Sequence, residues 1–143
     1  MSKAKFALQK TTVATAAIAG RAITEAQRSP EGGTLCPFTG EVPNIPYGYW
    51  VGGRIPTLRT SPEDLHMGLA RSVDRLVREG RRACRVSGWK PVGIGWWRDA
   101  NGTTHWDVST WVGDLAEALA LGRKRGEIAI WDIAGNREIP VAA

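Results

Sequence analysis

The dipeptide Asn101-Gly102 narrows the fold of this chain more than any other feature. Residues 92–99 and 103–111 flank it, and a turn dipeptide of this kind between two strand-like runs is the strongest short-range hairpin signal. Side chains alternate along a strand, so Thr104, Trp106 and Val108 share one face of the second arm while His105, Asp107 and Ser109 share the other. A hairpin with one apolar face needs a cover, and two helices can supply it. The first opens at Ser61 as N-cap, with Pro62 in the first helical position and Glu63 and Asp64 in the first turn. Leu65, Leu69, Val73, Leu76 and Val77 form its buried stripe, and Gly80 is expected to end it. The second helix has a capping box from Asp114 to Glu117 and an inner face of Leu115, Ala118, Leu119 and Gly122. Arg123, Lys124 and Arg125 lie in its last turn, and Gly126 closes it.

Three further strands complete the sheet. Tyr47 to Val51 is a short aromatic strand ended by Gly52-Gly53, and residues 128–133 read as a strand buried on both faces. Residues 137–141 form an edge strand after the Ala134-Gly135-Asn136 turn. The expected fold is α+β, in the order β-α-β-β-α-β(β), with two helices on one face of a small mixed sheet. Residues 47–141 make the compact domain, 29–46 a proline- and glycine-rich linker, and 1–28 a basic, alanine-rich arm or helix. Within that arm, residues 12–27 suit a weak helix with Val13, Ala16, Ala17, Ile23 and Ala26 on one side. Its alanine-rich run lacks the leucine-rich centre of a secretion signal, and no stretch reaches the roughly 18–20 apolar residues of a membrane span. The cytoplasm of a host cell is the expected compartment.

Composition adds two constraints. Seven tryptophans are more than a small sheet can easily hide, so one or two exposed indoles are expected, and tryptophan is enriched at interface hot spots. Charge is uneven: residues 54–85 hold eight arginines against four acids, whereas residues 86–143 hold six basic residues against seven acids. The first helix thus presents Arg71, Arg75 and Arg78 outside its buried stripe, with Arg81, Arg82 and Arg85 just beyond it.

Four pieces of the second half resemble a small module of uncharacterised phage and actinobacterial proteins: Gly95-Trp96-Trp97-Arg98-Asp99, Asp107-Val108, Leu121-Gly122-Arg123, and the run from Gly126 to Asp132. The resemblance covers residues 92–139 and rests on residues that build the fold. It implies a phage-like origin and a shared α/β fold, and it carries no activity.

Complete chemical constellations are lacking. His105 and Asp107 share a strand face, where a carboxylate can orient an imidazole as general base, and Ser109 extends that face. The same pattern describes the solvated side of an ordinary hairpin, and a nucleophile needs a particular exposed turn. Metal and cofactor sites are not expected: Cys36 and Cys84 are too few for a thiolate site, Thr39 stands where a zinc ribbon would need cysteine, and His66 and His105 have no ligand spacing. No glycine-rich run opens a helix in the manner of a phosphate loop. The expectation is therefore a phage-type accessory protein, not an enzyme, acting through protein–protein contacts by self-assembly or by modulating a host factor. Its contact residues would be Arg71, Arg75, Arg78, Arg81, Arg82, Trp89, Trp97 and Trp111. The alternative is nucleic-acid binding through the arginine helix and exposed tryptophans, and a small enzyme centred on His105 and Asp107 ranks third.

Overall fold

The computed structural model describes residues 13–53, 58–61, 63 and 67–141. Among them the elements run α1 (Thr15–Arg28), β1 (Gly33–Leu35), β2 (Tyr49–Val51), β3 (Leu58–Thr60), α2 (Met67–Val86), β4 (Val92–Arg98), β5 (Thr104–Val112), α3 (Leu115–Arg125), β6 (Ala129–Asp132) and β7 (Arg137–Pro140). The seven strands form one sheet in the order β1-β4-β5-β2-β6-β7, with β3 paired to β5 beside β2. The class is α+β. Every pairing is antiparallel, so the expected mixed sheet is corrected.

The β4–β5 hairpin is the centre of the sheet, with Trp96 opposite Trp106 and Gly95 opposite Asp107. Its turn is one residue longer than a two-residue loop. The Gly102 amide donates to the Asp99 carbonyl, and Gly102 alone takes the left-handed conformation, at φ 83°. Asp99 stabilises the turn from its side chain, where Oδ1 accepts the amides of Asn101 (2.8 Å) and Thr103 (3.1 Å).

All three helices lie on one face. Under α1 and α2 the core gathers Ile18, Ala22, Leu35, Val73, Val77, Ile94, Trp96 and Trp106. Both buried indoles donate: Trp96 Nε1 to the Ser29 carbonyl at 3.0 Å, and Trp106 Nε1 to Thr60 Oγ1 at 2.9 Å. A smaller cluster of Val51, Ala118, Ile130 and Val141 lies where α3 meets β2 and β6. α3 starts and stops as its sequence requires. Asp114 Oδ2 accepts the Glu117 amide at 3.0 Å, and Gly126 closes the helix at φ 73°.

Several expectations change. The N-terminal helix is a third core element that buries Ile18, Ala19, Ala22 and Ala26; of the expected side, Ala26 is buried and Ile23 packs against the core, while Val13, Ala16 and Ala17 are exposed. The supposed linker holds β1, and Leu35, Cys36 and Phe38 belong to the core. Segment 128–133 is not buried on both faces, because the helices cover only one: Ile130 is buried while Trp131, on the other face, is exposed, and Ile128, before the strand, is exposed as well. Leu115, placed on the inner face of α3, is exposed as well. Most consequential, α2 does not stop at Gly80 but continues to Val86. A Cβ at Gly80 would sit 2.7 Å from Ile94 Cδ1 and 3.3 Å from Pro37 Cβ, so glycine marks a close crossing rather than a helix end. The expected helix start at Pro62, Asp64 and Leu65 lies outside the described residues, as does the arm before Val13.

The two faces should differ in energy. Trp106→Ala empties the core and is expected to lower the unfolding free energy by about 3–5 kcal/mol. Trp97→Ala, on the uncovered face, should cost about 1 kcal/mol or less. Urea denaturation of the two variants checks this.

Candidate functional site

Because α2 runs unbroken through Gly80, Arg71, Arg75, Arg78, Arg82 and Arg85 fall in register along it. Their spacing alternates four and three residues, close to the 3.6-residue turn, so they form one nearly straight ridge. At 1.5 Å per residue the ridge is about 21 Å long, and at 100° per residue it lies about 180° from the buried stripe. All five arginines are exposed. Among the described residues only Arg78 has an ion pair, its Nε donating to Asp74 Oδ2 at 2.8 Å, and this bond chiefly holds the Asp74 carboxyl below its usual range. Like charges three or four residues apart on a helix destabilise by about 0.2–0.5 kcal/mol per pair, so four successive pairs cost about 1–2 kcal/mol. Asp74 and Glu79, each three or four residues from two of these arginines, offset a similar amount, so the row is close to neutral for folding. Among the described side chains of α2, Val86 at the helix end is the exposed large apolar one.

Arg81 does not join the ridge. Its Nε donates to the Pro37 carbonyl at 2.7 Å, a second nitrogen donates to the Val13 carbonyl, and the guanidinium lies 5.6 Å from the Phe38 ring centroid. Burial, and then neighbouring Arg85, hold it below the usual arginine value. Arg81 ties α1 and the residue 36–41 turn to α2. Its role is structural.

Of the tryptophans expected to share a surface with these arginines, Trp97 and Trp111 do not. Trp97 is 45% exposed but alternates with buried Trp96, so it faces away from α2 on the uncovered side of the sheet. Trp111 is half-buried on that same side, donating to the Tyr47 carbonyl at 2.8 Å and meeting the Tyr47 ring edge-on. Trp89 is half-buried with its ring 5.9 Å from that of Phe38. The second exposed indole, Trp131 at 39%, pairs across from Trp50 on the open face. The single composite surface expected from sequence is therefore two surfaces on opposite sides of the sheet.

On the open face His105 takes a partner other than Asp107. Its ring stacks on Trp97, with centroids 4.2 Å apart and planes 8° from parallel, and its Nε2 meets Asp99 Oδ2 at 2.9 Å. That contact is the largest influence holding the Asp99 carboxyl below its usual range. Asp107 instead accepts from Ser109 Oγ at 3.1 Å and from the Gly53 amide. Ser109 thus donates to the carboxylate and not to the imidazole, so no nucleophile–base contact forms. Sequence reasoning missed Asp99, although an aspartate two residues before Asn-Gly is a visible turn-capping signal. It also missed Arg125 and Glu127, which reach this region across the sheet from the end of α3. Arg125 donates to the Val51 and Gly52 carbonyls at 3.0 and 3.2 Å and to Thr110 Oγ1 at 3.1 Å. A Cβ on Gly52 would strike both Asp107 Oδ2 and Glu127 Oε1, so the two carboxyl groups crowd one small volume. Burial raises both, and Asp107 reaches about 6, with Glu127 adding to the rise.

The chain matches no family model, no curated protein and no solved structure. Among the described residues no three His, Cys, Asp or Glu side chains are placed to hold a metal ion, and no helix is long and apolar enough to cross a membrane. His66 lies outside the described residues. Cys36 and Cys84 are unbridged and buried. Cys84 Sγ donates to the Lys90 carbonyl at 3.1 Å, and burial pushes its thiol up to about 11.

Asp107 supplies a pH test. Its folded value lies above that of an unfolded aspartate, so the fold favours the protonated form. That contribution is fully present below about pH 4 and is lost as pH rises through about 6. Asp107→Asn should therefore raise Tm relative to the parent at pH 7–8, and the difference should shrink toward pH 4. Thermal melts of both proteins across that range give the answer, and a constant difference would remove Asp107 as the titrating group.

Proposed function

We propose that this chain works by binding nucleic acid, with the arginine ridge of α2 as its contact surface. The observation that carries this reading is the row of Arg71, Arg75, Arg78, Arg82 and Arg85, exposed along its whole length and lacking an apolar centre. Magnitudes separate the candidate partners. Against an acidic protein each exposed ion pair contributes about 0.2–1 kcal/mol and is screened by salt, and a stable protein interface also needs a desolvated hot spot. Among the described residues no such hot spot flanks the ridge. Against a phosphate backbone each neutralised charge releases a condensed counterion, which alone supports non-specific dissociation constants of about 10⁻⁴–10⁻⁶ M at physiological salt. The same five charges do far more against the polyphosphate.

The open sheet face favours a second reading, the phage-type accessory protein acting through protein contacts with itself or with a host factor. Trp97, Trp131 and Tyr47 are exposed there, with Arg59 exposed and paired opposite His105. Aromatic and arginine residues are the enriched hot-spot types of such interfaces.

Fluorescence anisotropy with a labelled, mixed-sequence nucleic-acid pool separates the two readings. Five contacts at a slope of about −0.9 each imply a loss of about 500-fold in affinity between about 50 and about 200 mM salt. Arg75→Glu with Arg82→Glu should weaken binding and flatten its salt dependence, while Trp97→Ala should leave both unchanged. The opposite pattern would move the function to the open face.

A further inference from the structure

We infer that the α2 ridge is a site for double-stranded DNA in preference to single strands or duplex RNA, an inference that rests on the nucleic-acid reading above. Three features of the ridge point the same way.

The ridge is rigid. α2 is anchored along its inner side by Leu69, Val73, Leu76, Val77, Ala83 and Cys84, all buried in the main core. The five guanidiniums therefore project from a fixed, straight, convex support about 21 Å long. Duplex DNA is equally stiff on this scale and carries one charge per about 1.7 Å of axis, so about 12 phosphates fall within the length of the ridge. Two preformed rods meet with only side-chain ordering to offset. A flexible single strand would have to be straightened along a convex surface before it could make the same contacts.

Among the described residues the ridge also has no exposed rings beside it. Sequence-tolerant single-strand binders offset the ordering of the strand by stacking bases on aromatic side chains, worth about 1–3 kcal/mol per base. Here Trp96 and Trp106 are buried, Trp89 is packed on Phe38, and Trp97 and Trp131 are exposed on the opposite side of the sheet. A strand lying along α2 finds arginine and nothing to stack on.

The third feature is width. A helix with side chains is about 10–12 Å across, and the B-form major groove is about 12 Å wide, so the protruding side of α2 can enter it with guanidiniums reaching phosphates on the groove wall. The A-form major groove of duplex RNA is too narrow and deep for that entry.

The test uses the full chain and three labelled oligonucleotides of one sequence and length: duplex DNA, the single DNA strand, and duplex RNA. Anisotropy titrations across a salt series are run on the parent protein and on Arg75→Glu with Arg82→Glu, whose fold is checked by near-ultraviolet circular dichroism. Duplex DNA should bind at least about tenfold more tightly than either competitor, with a slope of log K against log salt near −4.5. The double variant should lose at least two contacts, reducing the slope to about −2.7 or less in magnitude. Equal or tighter binding of the single strand or of duplex RNA overturns the inference while leaving the nucleic-acid reading in place. Failure of all three to bind at about 50 mM salt overturns both.

Discussion

At Gly80 the axis of α2 comes so close to β4 that a side chain would have to displace Ile94 and Pro37. That approach fixes the helix against the hairpin and decides its rotation. Val73, Val77 and Cys84 are turned into the core on either side of the crossing, and the direction opposite them becomes an exposed line along the helix. The arginine ridge is that line. Glycine in a helix interior costs about 1 kcal/mol of propensity, and here the close packing of two core elements compensates for it. Since one glycine sets both the burial of the inner stripe and the continuity of the outer one, core and surface of α2 are a single design.

Placing three helices on one face leaves the other face of the sheet to be stabilised by its own side chains. Trp97, His105 and Asp99 form one linked group, stacked and hydrogen-bonded around the hairpin end. Asp107, Ser109, Arg125 and Glu127 form another at the break between β2 and β3, where Arg125 bonds to backbone carbonyls at the end of β2. Glycine enables both. Gly95 leaves room for the Asp107 carboxyl, and Gly93 lets the Trp50 ring and Thr34 lie across β4. Burial, with the nearby Glu127 carboxyl adding to it, keeps protonation of Asp107 favourable at mildly acidic pH.

Much of the fold was legible in the sequence because local chemistry specified it. The Asp114 cap, the Gly126 stop, the alternation along β5 and the terminal edge strand all stand where residue types put them. The failures share a cause. Gly80 read locally is a helix stop, and only the proximity of Ile94, distant in sequence, shows it to be a packing glycine. Residues 29–46 look like a linker by their prolines and glycines, yet Leu35, Cys36 and Phe38 find core partners that no local pattern names. The candidate site suffered likewise. Ending the helix at Gly80 split one ridge of five arginines into two groups, and strand alternation could not say that Trp97 faces away from them. Arg81 looked like a member of that set until its bonds to Pro37 and Val13 placed it underneath.

On the proposed function, the working surface is the outer line of α2 and not the aromatic face of the sheet. The most direct measurement is nuclear magnetic resonance of the isotope-labelled protein during titration with a short DNA duplex. It follows the arginine Nε–H and backbone amide signals together with the indole N–H signals. The expected result is progressive shifts at Arg71, Arg75, Arg78, Arg82 and Arg85 with the indole signals of Trp97 and Trp131 unmoved. Shifts confined to Trp97, Trp131 and their neighbours, with the α2 arginines silent, would contradict it.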